Sequence, residues 1–156
     1  LGMLTVGLAC TGLRIGTLRA WVVAGCMGSA ASLCAIAALG QAGAGPLVPA
    51  VVMLGLFNGM FAVAAIAAMM ELAGQGRGAR TGTRMGLWGA SQAIAAGAGG
   101  LLGAVAADAL RLMLPDAGAF GLVFMAEAGL FLAAAVLAMR VIGGARLRQP
   151  VLMAGE

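Results

Sequence analysis

Five apolar runs separated by short polar gaps are the feature that most restricts what this chain can fold into. Four of them reach about 20 residues, the length that an α-helix needs to cross the ~30 Å hydrocarbon core of a bilayer. The predicted spans are 1–13 (partial), 20–39, 47–70, 85–107 and 119–139. The alternation of polar and apolar residues that is typical of membrane β-strands is absent. The sequence therefore predicts an all-α membrane protein, with residues 1–149 forming one polytopic helical bundle.

Composition supports this class and excludes others. Hydrophobic residues make up 63% of the chain and charged residues 9%, which is too little polar surface for a soluble domain. The net charge of +4 does not predict nucleic-acid binding, because the arginines lie at the ends of the predicted spans rather than on one basic face. The three cysteines form no CxxC pair, so we interpret them as small packing residues.

The first apolar run, 1–13, is too short to span a bilayer alone. No charged segment precedes it, which argues against a signal peptide. We therefore expect it to be the end of a helix that begins further upstream, and the chain to be the C-terminal portion of a longer protein.

The arginines predict the orientation. When alternate gaps are grouped, eight of the nine arginines fall on one side of the membrane. Positively charged residues favour the cytoplasmic side. We therefore predict a cytoplasmic basic loop with Arg77, Arg80 and Arg84, and a cytoplasmic tail at 150–156. The expected location is a bacterial cell inner membrane, with the C-terminus in the cytoplasm.

Two polar residues lie near the middle of predicted spans. Glu127 falls a third to a half of the way through 119–139, and Asn58 is near the middle of 47–70. A carboxylate at membrane depth is energetically costly and so predicts a functional site, for proton coupling or for a ligand. The alternative is a neutral carboxyl group that is hydrogen-bonded for structural reasons. Asn58 could bond to Glu127 or to a neighbouring helix.

No residue set for catalysis is visible. The chain has no histidine, and it shows no Ser/His/Asp set, paired carboxylates or phosphate-binding loop. We predict that it is not an enzyme and has no metal site. A magnesium-bearing pigment would need Glu, Asn, Gln, a backbone carbonyl, water or another chain as its axial ligand.

Small residues four apart recur along several spans and predict close helix packing, since they let backbones approach in lipid. A surface groove for a flat pigment or for a partner's helix is the alternative interpretation. The pairs and series are Gly25/Ser29, Gly55/Gly59, Ala93/Gly97 and Ala96/Gly100/Ala104.

The stretch RTGTRMGLWGASQAIAAGAGGLLGAVAADALR, Arg80–Arg111, resembles the PucC/LhaA family of purple phototrophic bacteria. The core G-x-W-G-A-x-Q-A is met by Gly86, Trp88, Gly89, Ala90, Gln92 and Ala93. Members of this family are facilitator-like proteins that assist the assembly of light-harvesting complexes and are thought to deliver bacteriochlorophyll. The arrangement of spans likewise resembles the last four to five helices of a twelve-helix major facilitator fold.

The resemblance implies an assembly factor or associated subunit of a photosynthetic light-harvesting complex, in the intracytoplasmic membrane, that binds or delivers bacteriochlorophyll to antenna polypeptides. The implied partners are antenna and reaction-centre polypeptides and membrane lipids. The implied pigment- or partner-binding residues are Trp88, Gln92, Gly97, Gly100 and Gly103.

Two alternatives remain open. One is a proton-coupled secondary transporter of a small or amphipathic solute, with Glu127 as the coupling carboxylate and Asn58 as a substrate contact. A facilitator cavity lies between two halves of the protein, so this chain alone could not provide alternating access. The other alternative is a structural subunit that braces a larger pigment–protein complex.

Overall fold

The computed structural model describes residues 17–43, 45–74 and 81–146, which form four α-helices and no strand. The helices are α1 (Leu18–Ala42), α2 (Leu47–Gly74), α3 (Thr81–Arg111) and α4 (Asp116–Arg146). Each is long and apolar enough to cross a membrane. The prediction of an all-α, multi-pass membrane protein is confirmed.

Each of the four helices contains one of the predicted spans. All four extend past it, because the apolar run marks only the part within hydrocarbon, whereas helical hydrogen bonding continues into polar flanks such as Thr81 to Arg84. The partial span 1–13, Arg77, Arg80 and the tail 150–156 lie outside the described residues.

The ends of α1 follow from local chemistry. Thr17 is the N-cap, and its hydroxyl oxygen accepts a hydrogen bond from the backbone N–H of Ala20 at 3.2 Å. Gly43 follows the last turn with φ of 64°, a left-handed conformation that glycine adopts without steric cost. Thr17 therefore satisfies a free N–H group at the start of α1, and the left-handed conformation of Gly43 ends the helix.

α1 is the central helix of the described bundle. Half of its most apolar 18-residue window is buried, compared with 11% in α2 and in α4 and 6% in α3. One cluster of buried side chains joins α1 to both α2 and α4, and a second joins α1 to α4. The clusters consist of Val22, Cys26, Ala64 and Ala135, and of Ala30, Leu33 and Ala128.

Two glycines of α1 allow two phenylalanines of α2 to pack directly against the α1 backbone. A Cβ atom on Gly25 would lie 2.7 Å from the backbone nitrogen of Phe61, and one on Gly28 would overlap the Phe57 ring. Phe61 then reaches Phe131 of α4 edge to face, with ring centroids 6.0 Å apart, a favourable aromatic geometry. The absence of side chains on α1 thus sets how closely the three helices approach.

Ser29 and Ser32 of α1 differ in whether their hydroxyl groups are bonded. Both side chains are buried. The Ser32 hydroxyl donates to the Gly28 carbonyl oxygen at 2.8 Å, whereas the Ser29 hydroxyl has no hydrogen-bond partner in the described part of the chain. A buried hydroxyl without a partner is unfavourable by roughly 1–3 kcal/mol.

We therefore expect Ser29→Ala to raise the free energy of unfolding by about 1 kcal/mol. Ser32→Ala is the matched control, and it should leave stability unchanged or lower it slightly. Both are measured by thermal unfolding in detergent micelles, followed by circular dichroism. A destabilised Ser29→Ala variant would show that this hydroxyl is bonded after all.

Candidate functional site

α3 packs against the rest of the chain only towards its two ends. Every residue from 89 to 102 is exposed. Towards the ends, Met85, Trp88, Gly103 and Leu110 are half-buried, and Ala107 is buried. Because a helix that packs along its length buries a residue every three or four positions, the middle of α3 makes no such contact with the bundle.

The covered residues of α3 fall on one stripe of its surface, because residues three or four apart share a helix face. The stripe consists of Met85, Trp88, Gln92, Ala96, Gly99, Gly103, Ala107 and Leu110. It is covered at both ends, while its middle, Gln92 to Gly99, is exposed. The uncovered part of the stripe lies between Trp88 and Gly103 and is about 22 Å long at the helical rise of 1.5 Å per residue. We call this exposed part of the stripe the α3 slot.

Glu127 of α4 lies at one end of the α3 slot. Its Oε1 atom is 4.0 Å from the point where a Cβ atom of Gly103 would be. The residue is exposed, and it follows the start of α4 by about 16 Å, near mid-depth of a bilayer core. Within the described ranges, its carboxylate has neither a hydrogen bond nor an ion pair.

Asn58 of α2 is also exposed. It forms no hydrogen bond with Glu127 among the residues that the structure covers. The hypothesis that these two residues pair is therefore not supported by the described geometry, and each remains a separate polar group at membrane depth.

The structure divides the residues predicted for the site between two faces of α3. Trp88, Gln92 and Gly103 share the stripe along the α3 slot. Gly97 and Gly100 lie about 140° and 80° around the helix from Gln92, at 100° per residue. A Cβ atom on either glycine would meet nothing within 4 Å. The same is true of Gly99, so only the helical angle separates the two sides of α3. We call the side with Gly97 and Gly100 the outward-facing surface.

Sequence reasoning missed two features of the site. Gly99 lies on the same stripe as Gln92, seven residues away, and this spacing could have identified it. The approach of Glu127 to Gly103 had no signal in the sequence, because it depends on how α3 and α4 pack. Of the predicted basic loop, only Arg84 is described, and it is exposed at the start of α3.

The arrangement suits an apolar molecule with one polar contact. Ala96, Gly99 and Gly103 form most of the exposed stripe, the Glu127 carboxylate lies at one end, and Trp88 and Gln92 lie towards the other. In the described ranges, no three His, Cys, Asp or Glu side chains are grouped so that they could hold a metal ion. A metal that is already held in an organic ring needs only one further ligand, and a single carboxylate can supply it.

A small polar cluster lies at the end of the bundle where α3 ends and α4 begins. The Arg111 guanidinium donates to the Asp116 carboxylate at 2.8 Å, lies 3.9 Å from Asp108, and is 5.8 Å from the centre of the Phe120 ring. All of the charged groups are exposed to a large degree. This cluster connects the end of α3 to the start of α4 and lies outside the slot.

Two comparisons with known proteins indicate the same family for this chain. The sequence model of the family described as PUCC protein matches residues 1–145. The chain is 65% identical over 158 aligned residues to the Bacteriochlorophyll synthase 44.5 kDa chain of Rhodobacter capsulatus, an alignment that covers 99% of this chain and 36% of the relative. The chain thus spans about a third of the length of that relative. No solved structure matches it significantly. Because the family model covers nearly the whole chain, the protein belongs to the PUCC (PucC) family.

Proposed function

We propose that the chain acts in an assembly factor or associated subunit of a photosynthetic light-harvesting complex, and that α3 holds bacteriochlorophyll or an antenna polypeptide there. The observation that carries the proposal is the fully exposed middle of α3, residues 89–102, in a helix long and apolar enough to cross a membrane. Membership of the PucC family supports the biological context, as does a relative whose name includes bacteriochlorophyll.

Bacteriochlorophyll fits the α3 slot in chemical terms. It is the cargo in this proposal, and it brings a flat apolar ring, a magnesium centre and a hydrocarbon tail. Gly99 and Ala96 present almost no side chain along the slot, so a flat ring can approach the helix backbone. Glu127 at one end of the slot, or Gln92 towards the other, offers a single oxygen ligand of the type that magnesium prefers.

The outward-facing surface with Gly97 and Gly100 fits an antenna helix instead. Small residues spaced four apart allow two helix backbones to approach closely in lipid, where close packing rather than the hydrophobic effect drives association. Ala104, four residues after Gly100, extends this surface by another turn. We propose that the pigment and the polypeptide occupy two different faces of the same helix.

The charged residues support the proposed orientation in a bacterial inner membrane. Arg19, Arg84 and Arg140 lie at one end of the bundle together with Glu71, and Asp108 and Asp116 lie at the other together with Arg111. The positive end would face the cytoplasm together with the C-terminus. There the predicted basic loop would contact lipid phosphates or the termini of partner polypeptides.

The test is co-purification of the chain with antenna polypeptides and bacteriochlorophyll in lipid nanodiscs. We expect the chain to retain pigment in a fixed ratio after size-exclusion chromatography, and to bring antenna polypeptides with it. Retention of polypeptides without pigment would favour the structural-subunit alternative. Retention of neither would contradict the proposal.

The same preparation tests whether the chain is an enzyme. The relative's name contains the word synthase, so the prediction of no enzymatic activity stays a prediction. We expect the pigment to be recovered chemically unchanged, as shown by mass spectrometry. Pigment that is converted only when the chain is present would contradict this expectation.

A second candidate function is proton-coupled transport of an amphipathic solute. The exposed carboxylate of Glu127 at mid-depth favours it, because intramembrane carboxylates recur in proton relays. The apolar slot restricts the substrate to a molecule with little polar surface. Uptake into proteoliposomes that Glu127→Gln leaves unchanged would remove Glu127 from such a mechanism.

A further inference from the structure

The turn between α3 and α4 presents two large apolar side chains to the surroundings. Leu112 is 86% exposed and Met113 is 87% exposed, the highest values among the large apolar side chains in the described ranges. Neither residue is helical, because α3 ends at Arg111 and α4 begins at Asp116. We call Leu112 and Met113 the apolar tip. Exposed apolar side chains that are grouped in this way often mark a contact with another molecule.

Hydrogen bonds on both sides hold the backbone of the apolar tip in place. The N–H group of Met113 donates to the carbonyl oxygen of Leu110 at 3.0 Å. The Arg111 guanidinium donates to the Asp116 carboxylate at 2.8 Å, which ties the end of α3 to the start of α4. The tip is therefore preorganised, and a partner that binds it does not first have to order it.

The charged residues beside the apolar tip separate it from the hydrocarbon core. Asp108 and Arg111 precede the tip on α3, and Asp116 follows it on α4. The side chains of Asp108 and Asp116 are 80% and 71% exposed. The tip could reach hydrocarbon only if these charged groups entered it first, and charged side chains are unfavourable at that depth. Lipid acyl chains are therefore a poor match for the tip.

The charges around the apolar tip favour a basic partner. Two carboxylates and one guanidinium give the three flanking residues a net charge of −1, and the C-terminal end of α3 adds the partial negative charge of its backbone dipole. A second copy of the chain would bring like charges together in a two-fold contact. Eight of the nine arginines fall in the gaps on the other side of the membrane. The complementary cation must therefore come from another polypeptide.

We propose that the apolar tip is the docking site for a second polypeptide, whose surface has an apolar pocket bordered by arginine or lysine. The pocket would cover Leu112 and Met113. The cation would lie against Asp108, because Asp116 is already paired with Arg111 at 2.8 Å, whereas Asp108 is 3.9 Å from it. In the proposed orientation, the contact lies on the non-cytoplasmic side. It goes beyond the proposed function, since it involves neither pigment nor the exposed middle of α3.

The test is site-directed photo-crosslinking of the full-length protein in membranes of the bacterium that produces it. A photo-reactive benzoylphenylalanine replaces Met113. The matched control has it in place of Leu137, which is 60% exposed within the membrane-spanning part of α4. We expect position 113 to give an adduct with one polypeptide, whose linked peptide contains arginine or lysine when it is mapped by mass spectrometry. Position 137 should give lipid adducts.

Two substitutions, each combined with the photo-reactive residue at position 113, separate the apolar and the charged contributions. Leu112→Ser should lower the adduct yield by at least about tenfold, and Asp108→Asn by at least about threefold. Raising the salt from about 0.1 M to about 1 M should lower the yield when Asp108 is present and leave it unchanged in Asp108→Asn, since salt screens exposed charges. Both side chains are exposed, so both variants should keep their helicity, as measured by circular dichroism.

Four results would overturn the proposal. Lipid adducts at position 113 would place the apolar tip in the bilayer. Adducts with a second copy, or with another segment of the same protein, would show that the tip does not bind a separate polypeptide. An adduct whose yield responds neither to Asp108→Asn nor to salt would exclude a basic partner. The absence of any adduct at position 113, with lipid adducts present at position 137, would show that nothing covers the tip.

Discussion

Replacing Gly25 with alanine should destabilise the bundle by about 1–3 kcal/mol, the usual effect of adding atoms to a closely packed contact. The new Cβ atom would lie 2.7 Å from the backbone nitrogen of Phe61 and 2.8 Å from its Cα. A flexible side chain could move aside, but these are backbone atoms of a neighbouring helix. α1 and α2 would therefore have to separate, and the contact between Phe61 and Phe131 would loosen with them.

Gly55→Ala is the matched control for this prediction. Gly55 lies in α2, and a Cβ atom there would meet nothing within 4 Å. Alanine is favoured over glycine inside a helix by roughly 0.5–1 kcal/mol, so this variant should be slightly more stable than the wild type. Both are measured by unfolding in mixed micelles of increasing SDS content. A Gly25→Ala variant that is more stable than the wild type would contradict the described contact between α1 and α2.

The two glycines also show how far the sequence can predict packing. Gly25/Ser29 and Gly55/Gly59 have the same spacing, and both predict close approach of helices. Gly25 lies against Phe61 of α2, whereas Gly55 is exposed with nothing within 4 Å of a Cβ atom, although Gly59 of the same motif is buried. The spacing identifies a surface that permits contact, whereas the choice of partner depends on the path of the chain. The sequence alone could not rank the two motifs.

The fold class was predictable because bilayer thickness sets the length of a span, and each of the four complete predicted spans falls within one helix. The central position of α1 was not predictable from hydropathy. α2 has the higher mean hydropathy, 2.2 against 2.0, yet 11% of its window is buried compared with 50% for α1. In lipid, apolar side chains are equally favourable facing the bilayer, so hydropathy carries little information about burial.

Part of the candidate site was predictable because helical periodicity fixes which residues share a face. The run Met85–Ala93 pointed to α3, and helical periodicity places Trp88 and Gln92 on one stripe. The same periodicity places Gly97 on another side of the helix. The approach of Glu127 to Gly103 required the structure, since it arises from the crossing of two helices that the sequence does not specify.

Gly99→Leu and Gly97→Leu should give opposite defects in assembly. A Cβ atom at either position would meet nothing within 4 Å, so we expect both variants to fold. Gly99 lies on the stripe along the α3 slot, and a leucine there would occupy the space for a flat ring. We expect Gly99→Leu to lower the ratio of bound pigment to protein by at least about tenfold. Gly97→Leu should keep its pigment and lose most of its co-purifying antenna polypeptide, because the side chain would hold the two helix backbones apart.

The measurement is the same nanodisc preparation for both variants, with pigment read by absorbance and antenna polypeptide by immunoblot. Both substitutions add an identical side chain two positions apart on one helix, so any general effect on expression or insertion is shared. Loss of pigment in both variants would contradict the division of α3 into two faces, and would mean that the outward-facing glycines also contact the pigment. Loss of pigment in Gly97→Leu alone would place the pigment on the outward-facing surface and leave the α3 slot without a role in binding it.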